Sequence, residues 1–433
     1  MDGLLKNGTI LTSDSSNKYI IQKLLGAGGQ GEVYDVECGG KHYALKWYYK
    51  HTATTAQKNI LENLVAKGKP DESFLWPEDM IYKGVGQPIG YVMQLRPKNY
   101  KSIVDLMKRK AEPSFYHLCR TAYNLTRGYQ KLHSMGYSYR DISFGNLFFE
   151  PETGDVLICD NDNVSVNGAD DSSVYGTPRF MAPEIIVGKA KPSRNTDLFS
   201  LAVLLFYMFM LNHPLEGKLE ANIKCMDIHA MNQLYGTHPV FIFDPDDKSN
   251  RPVKGYQDNA LIYWDLYPQK LRDLFTQAFT VGINAPNRRV TENKWLDTFA
   301  NMMSGIMHCP VCGAEIFYDE KKEEQSVAHT CWSCGAAVSV PAKMIVGKRK
   351  IVLMSDSKLY RHHIYSDYDM NTVVGAVVQN PKNPNLWGIR NEDQVNWTYI
   401  KADGTQLPVA VGRSAGIAKG VKINFGQSTG EFR

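Results

Sequence analysis

Apolar residues alternate with polar ones early in the chain, which is the period of a half-buried strand. The pattern predicts strands over Tyr19–Leu25, Glu32–Cys38 and His42–Tyr49, with Gly39-Gly40 as a tight turn between the last two. From Ala53 to Lys67 the period lengthens, and Ile60, Leu61, Leu64 and Val65 form one apolar stripe of a helix. Val156-Leu157-Ile158-Cys159-Asp160 reads as a short apolar strand ending in a carboxylate. The most apolar stretch, Leu198 to Leu211, is too short to cross a bilayer. Beyond Pro341 short apolar runs recur at Ile351-Val352-Leu353, Val373-Val374, Ala376-Val377-Val378, Val395–Ile400, Leu407–Val411 and Val421–Phe425. Gly, Asn, Asp and Pro punctuate them, which predicts a β-sandwich over 341–433.

Three segments carry candidate chemistry. Leu25-Gly26-Ala27-Gly28-Gly29-Gln30-Gly31-Glu32-Val33 has the G-x-G-x-x-G spacing, but it sits between two strands. A dinucleotide fingerprint opens a helix after its glycines, whereas this one opens a hairpin. Such glycines let backbone amides approach phosphates without a Cβ in the way; an ordinary glycine hairpin is the alternative. Lys46 lies among apolar residues on the third strand, and Glu62 is the only carboxylate between Glu37 and Asp71. Tyr139-Arg140-Asp141-Ile142-Ser143-Phe144-Gly145-Asn146 places a potential base, Asp141, five residues before a potential metal ligand, Asn146.

Taken in order, these segments resemble the motifs of protein kinases, over roughly residues 15 to 300. Tyr43-Ala44-Leu45-Lys46 resembles the V-A-I-K strand, and Tyr139–Asn146 the catalytic loop H-R-D-x-x-x-x-N with Tyr139 in the histidine's place. Asp160-Asn161-Asp162 stands where kinases have D-F-G, keeping the metal-binding Asp and leaving a second acidic contact open at Asp162. Gly176 to Glu184 resembles the substrate-docking segment that ends in A-P-E, and Asp197 to Leu205 the aspartate-led central helix. Arg289-Val290-Thr291 resembles the late R-P-T element, whose arginine pairs with Glu184, with Arg288 as a substitute.

The resemblance implies an α+β, bilobal protein-kinase fold, with an N-lobe over 1–96 and a mainly helical C-lobe over 97–303. It also implies site residues. ATP would be held by Gly26, Gly28, Gly31, Val33, Ala44, Lys46, Glu62, Gln94, Leu95, Asn146 and Asp160. Glu62 is the expected ion-pair partner of Lys46. Asn146 and Asp160 would hold Mg2+, and Asp141, Lys46, Asn146 and Asp160 would carry catalysis. Ser143 stands where serine/threonine kinases often have a lysine. In related kinases the arginine at the Arg140 position grips a phosphorylated activation-loop residue. Here the candidates are Ser165, Ser172, Ser173, Thr177 and Tyr175, with Ser172 and Ser173 favoured and Thr177 expected at the catalytic site.

Four of the eight cysteines define the next module; Cys38, Cys119, Cys159 and Cys225 are scattered through the kinase-like region and read as buried thiols. Cys309-Pro310-Val311-Cys312-Gly313 and Cys331-Trp332-Ser333-Cys334-Gly335 have zinc-ribbon spacing, so residues 304–340 are expected to bind Zn2+ through Cys309, Cys312, Cys331 and Cys334. Four thiolates close a tetrahedral shell, which makes the site structural. Disulfides or an iron–sulfur cluster are the alternatives. Met1–Thr12 lacks a charged start and a long apolar run, so no secretory signal is expected, which disfavours disulfides.

The formal net charge of +4 over 433 residues gives no general nucleic-acid signal. It is uneven: residues 341–433 carry thirteen Lys/Arg against seven Asp/Glu, or +6, leaving −2 elsewhere. This favours an anionic partner for the tail. Leu359–Ile364, Trp387–Asn391 and Val421–Gly426 resemble segments of forkhead-associated (FHA) domains, although the serine expected near Tyr360 is missing, and Gly347-Lys348 or Arg349 must serve as the Gly-Arg pair. Kinase, zinc ribbon and FHA-like sandwich in this order resemble bacterial serine/threonine kinases of tellurium-resistance-type systems. That resemblance implies the cytoplasm, no membrane or nucleic-acid partner, a protein substrate, and possible partnership with a von Willebrand A-domain protein and a metal-dependent protein phosphatase. A pseudokinase scaffold that binds nucleotide and partners is the competing expectation.

Overall fold

The computed structural model describes residues 3–82, 89–168, 176–365 and 367–433. The chain divides into two compact units, Met1–Asp265 with Arg272–Leu296, and Leu266–Leu271 with Asp297–Arg433.

The first unit opens with a six-stranded sheet of β1 (Ile10–Thr12), β2 (Lys18–Ala27), β3 (Gly31–Cys38), β4 (Lys41–Tyr48), β5 (Asp79–Tyr82) and β6 (Ile89–Gln94). Its order is β1-β2-β3-β4-β6-β5, and the pairings are antiparallel. Strand alternation sorts the side chains. Leu45 and Trp47 face a core with Tyr19, Ile21, Tyr34, Val36, Ile81 and Val92. Ala44 and Tyr48 face the other, with Tyr91, Met93 and Leu61. Lys46 shares the parity of the second face.

Helix α1 (Thr55–Lys67) packs on that second face through Leu61 and Leu64. It starts two residues later than the apolar pattern predicts, because the Thr54 hydroxyl caps it by accepting from Gln57 N–H at 3.1 Å. Trp76 Nε1 donates to the Leu64 carbonyl at 2.9 Å and ties down its last turn.

The rest of this unit is mainly helical. The predicted apolar stretch lies in the helix Arg194–Met210, buried from Thr196 onward. Among the described residues no helix is long and apolar enough to cross a membrane. Short strands then frame the candidate catalytic loop: Tyr137–Ser138 pairs with Ser165–Val166, and Leu147–Phe149 pairs with Val156–Ile158. Residues 139–146 are therefore suspended between two anchored strands.

In the second unit, two small hairpins, Ile306–His308 with Glu315–Phe317 and His329–Thr330 with Ala337–Val338, carry the cysteine pairs. Residues 343–433 form two sheets. One has six strands: Arg349–Val352, Lys343–Val346, Thr429–Phe432, Lys422–Asn424, Trp397–Ile400 and Gln406–Val409, in spatial order. The other has four: Lys358–Tyr360, Val373–Asn380, Asn383–Asn391 and Ser414–Gly416. Trp397 and Phe425 meet edge-to-face at 4.9 Å in the shared core. The two expected runs at Val373 and Ala376 are one strand across Gly375. A Cβ there would stand 2.9 Å from the Trp397 ring, so the glycine makes room for the core tryptophan. Thr429–Phe432 and Ser414–Gly416 were not among the expected strands, having too few apolar residues to register as runs.

Candidate active site

Tyr139 is fully buried, and its hydroxyl donates to the Cys159 carbonyl, immediately before Asp160. Asp197, at the start of the long buried helix, accepts from Tyr139 N–H at 2.6 Å and from Arg140 N–H at 3.0 Å. Arg140 has φ +73°, a left-handed conformation for which those amide bonds compensate. Beyond this turn, Asn146 Nδ2 donates to the Asp141 carbonyl at 2.8 Å and to its carboxylate at 3.2 Å. The Thr177 hydroxyl donates to the other Asp141 oxygen at 2.8 Å, as expected for that threonine. Cys159 N–H reaches back to the Asn146 carbonyl at 3.0 Å. Asp141, Asn146 and Asp160 are thus fixed in one backbone frame.

Asp160 also has positive φ, +53°, and its carboxylate is 43% exposed, 3.6 Å from Lys46 Nζ. Partial desolvation in the cleft, with the Asp162 carboxylate nearby, pushes the Asp160 carboxyl above its usual range, against the pull of Lys46. Asn161 replaces the phenylalanine of D-F-G with a buried amide that donates to the Leu75 and Ile158 carbonyls at 2.8 and 3.0 Å. This pins the segment through hydrogen bonds where an aromatic ring would pack.

The expected Lys46–Glu62 ion pair does not form. Glu62 is exposed and pairs with Lys58 one helical turn earlier, at 3.4 Å. Lys46 Nζ instead lies 2.7 Å from Asp162 and 3.0 Å from Gln30 Oε1. The reason is register: Leu61 and Leu64 must face the sheet, which turns Glu62 outward and leaves Gln57 facing inward. Gln57 donates to the Tyr48 hydroxyl and the Asp162 carbonyl at 3.2 and 3.3 Å. Nor does Asp162 have a free oxygen for a metal. It is fully buried, with Lys46 and Tyr48 on one oxygen and Tyr91 on the other. Burial lowers the Lys46 ammonium and the two carboxylates Asp162 and Asp160 more than offset it, leaving its pKa raised.

The glycines split by role. A Cβ on Gly31 would fall 2.2 Å from the Trp47 carbonyl, so Gly31 is required by strand packing. A Cβ on Gly26 or Gly28 meets nothing within 4 Å, leaving those positions open to a ligand. Val33, Ala44 and Leu95 join Met93, Leu157 and Cys159 in one apolar cluster, a surface suited to a flat base. The Gln94 side chain points elsewhere, donating to Glu78 at 2.7 Å. The oxygen donors Asn146 and Asp160 suit a hard cation such as Mg2+. Arg289 grips Glu184 with two parallel bonds of 2.8 Å, as expected, and Arg288 takes no part in that pair. Of the candidate phosphorylation positions, Ser172, Ser173 and Tyr175 lie outside the described residues, and Ser165 is buried.

In the second unit the Sγ atoms of Cys309, Cys312, Cys331 and Cys334 all lie within 4.8 Å of one another. The Cys309–Cys334 and Cys312–Cys331 sulfurs are 3.6 Å apart. That is close to the ~3.8 Å edge of a tetrahedron with Zn–S bonds of about 2.3 Å, and far longer than an S–S bond of about 2.05 Å. The four thiols therefore fit Zn2+. His329, which the four-cysteine set leaves over, accepts from Asp319 N–H at 2.9 Å.

Sequence comparison agrees with the geometry. The protein kinase domain family model matches residues 19–299. A probable serine/threonine-protein kinase, CCRP1, of Zea mays is 25% identical over 217 residues, covering 49% of this chain and 34% of that protein. The protein kinase YegI of Escherichia coli K12 is 24% identical over 314 residues, covering 68% and 46%. The serine/threonine-protein kinase PknD of Chlamydia pneumoniae is 25% identical over 240 residues, covering 46% and 25%. The chain thus spans less than half the length of each of these relatives.

Proposed function

The chain belongs to the protein kinase family, and from that premise we propose that it is an active serine/threonine protein kinase that transfers the γ-phosphoryl group of ATP to protein hydroxyls. The observation that carries this reading is the setting of Asp141. A threonine hydroxyl already donates to its carboxylate at 2.8 Å, so the group is placed to accept from an alcohol, and Asn146 holds it from the other side. Bound ATP and Mg2+ would supply the phosphoryl group and neutralise charge developing on it. Asn146 and Asp160 would hold the metal, and Lys46 would neutralise and orient the α- and β-phosphates. Asp141 would orient the substrate hydroxyl and take up its proton. Val33, Ala44 and Leu95 would cover the base, under the open edge at Gly26 and Gly28. Positioning and electrostatics carry such a reaction, and each of these side chains is held by at least one neighbour.

A scaffold without turnover is the second reading. Asn161 in place of phenylalanine, Asp162 in place of glycine, and Ser143 in place of lysine favour it. The deciding experiment is transfer of labelled phosphate from Mg-ATP to the full chain or to a generic protein substrate. Incorporation at serine or threonine supports the enzyme; nucleotide binding without incorporation supports the scaffold. The zinc site and the FHA-like sandwich supply the basis for the wider setting we propose: a bacterial signalling or stress system in the cytoplasm, acting beside a von Willebrand A-domain protein and a metal-dependent phosphatase.

A further inference from the structure

We propose that Asp162, and not a glutamate of helix α1, is the residue that positions Lys46 for the phosphates of a nucleotide. This inference rests on the kinase reading above and deepens it. An ammonium has three donors; two are fixed, by Asp162 at 2.7 Å and Gln30 at 3.0 Å, and the third faces Asp160 at 3.6 Å, beyond hydrogen-bond distance, which leaves it for a phosphate. The Asp162 carboxylate has no exposed surface and accepts from the Tyr48 and Tyr91 hydroxyls as well as from Lys46. The four groups form a buried cluster built around one acid. Glu62, by contrast, is 46% exposed and pairs with Lys58, whose ammonium rests on the Tyr82 ring.

The origin of the acid changes what can control it. Where the lysine's partner sits on the helix, displacing that helix breaks the pair and disables the site. Here the partner lies two residues after Asp160, on the 3-10 turn Asn161–Asn163. Helix α1 contributes only a neutral amide, Gln57. Lys46 and the metal-binding candidate Asp160 are therefore set by the same turn. The turn is itself fastened by Asn161 to the Leu75 and Ile158 carbonyls. Positioning of the lysine follows the order of residues 160–163, and a swing of α1 alone does not release it.

Two double-mutant cycles test this on the full chain, each read in stability and in phosphoryl transfer. For stability, Lys46→Met and Asp162→Asn are each expected to lower the melting temperature, and together by clearly less than the sum. Lys46→Met combined with Glu62→Gln is expected to be additive. For transfer, Asp162→Asn is expected to lose at least tenfold in kcat, and Glu62→Gln to stay within twofold of the parent. Because Asp162 acts through Lys46, the Lys46→Met/Asp162→Asn double is expected to be no slower than Lys46→Met alone, which a merely structural role would not produce. Coupling of Lys46 to Glu62, or independence of Lys46 from Asp162, overturns the proposal. If the parent chain transfers no phosphate, the kinase reading fails, while the stability cycles still decide which acid holds the lysine. Should Asp162→Asn fail to fold, the Glu62 cycle alone remains decisive, since any coupling there refutes the assignment.

Discussion

At the scale of single residues, the catalytic loop is held more tightly than its exposure demands, and that makes its chemistry separable from its folding. Asp141 accepts from Asn146 and Thr177; an asparagine there keeps its oxygen for the Asn146 amide, and its own amide donates to the Thr177 hydroxyl, which switches from donor to acceptor. Asp141→Asn is therefore expected to fold normally by circular dichroism and to lose about 10^2-fold or more in phosphoryl transfer, the usual scale for removing a general base; near-parent turnover in the purified variant would remove Asp141 from the role. A second residue-level test concerns His133, buried between Glu292 at 2.6 Å and Asp197 at 3.0 Å, the latter being the acid that holds the loop's amides. Burial pushes the imidazolium down, but its bonds to Asp197 and Glu292 prevail and its pKa is raised. Burial pushes Glu292 up, but bonds from His133 and Arg194 prevail and hold it at about 2. A raised histidine stabilises fully below its unfolded value of about 6.5 and loses that contribution as pH rises through its folded value. A lowered glutamate stabilises above its ordinary 4.5 and loses the contribution as pH falls toward about 2. Both act together between about pH 4.5 and 6.5. A shift of this size in Glu292 is worth about 3 kcal/mol. Thermal melts of Glu292→Gln against the parent are expected to show the largest gap near pH 5.5 and a shrinking one below pH 4; a gap independent of pH would mean the charge is not what matters.

At the scale of elements, motifs with fixed spacing were readable from sequence, and contacts set by helix rotation were not. The hairpin around Gly28, the Asp141–Asn146 interval and the Glu184–Arg289 pair each depend on local order or on a motif that names its partner. The sequence points to Glu62 for Lys46 because it is the sole carboxylate between Glu37 and Asp71. The packing of Leu61 and Leu64 decided otherwise, and the acid came from Asp162, more than a hundred residues away in sequence. The sandwich shows the same boundary. Its apolar runs predicted strands, but Gly375 merged two of them and weakly apolar edges such as Ser414–Gly416 gave no signal. The cysteine hairpins lie at the readable end, since each turn brings two thiols to one point by its own geometry. Val311 N–H donating to Cys309 Sγ at 3.4 Å is part of that turn. Natively purified protein is expected to hold one zinc per chain by elemental analysis. Cys331→Ser is expected to abolish tight binding, because Cys331 is a buried member of the four-sulfur cluster and no fifth cysteine or histidine joins it among the described residues. Iron in place of zinc would refute the assignment.

At the scale of the whole molecule, the question is which parts of the chain the metal supports. The zinc ribbon was expected as a module of its own, over 304–340. In the structure its core contains Met307, Cys309, Ile316, Cys331 and Val338 together with Val352, a residue of the six-stranded sheet. Ion pairs extend the connection: Lys343 with Glu323 at 2.5 Å, and Lys350 with Glu320. Both lysines lie on strands of the sandwich and both glutamates on the short helix that follows the first cysteine hairpin. The hydrophobic core around the four cysteines is small, so bound zinc is expected to supply a large share of its folding free energy, and the shared side chains are expected to pass part of that support to the sandwich. A chain with two compact units is not expected to melt as one two-state transition. Calorimetry of the full chain is expected to resolve two transitions, with a zinc chelator lowering one and leaving the other in place. Limited proteolysis with mass spectrometry then identifies which is which. After chelation, cleavage is expected to appear across both 304–340 and the sandwich strands Lys343–Val346 and Arg349–Val352, while the helix Arg194–Met210, whose packing owes nothing to the metal, stays protected. Cleavage confined to 304–340 would mean that the ribbon folds by itself and that the side chains it shares with the sheet carry no stability across.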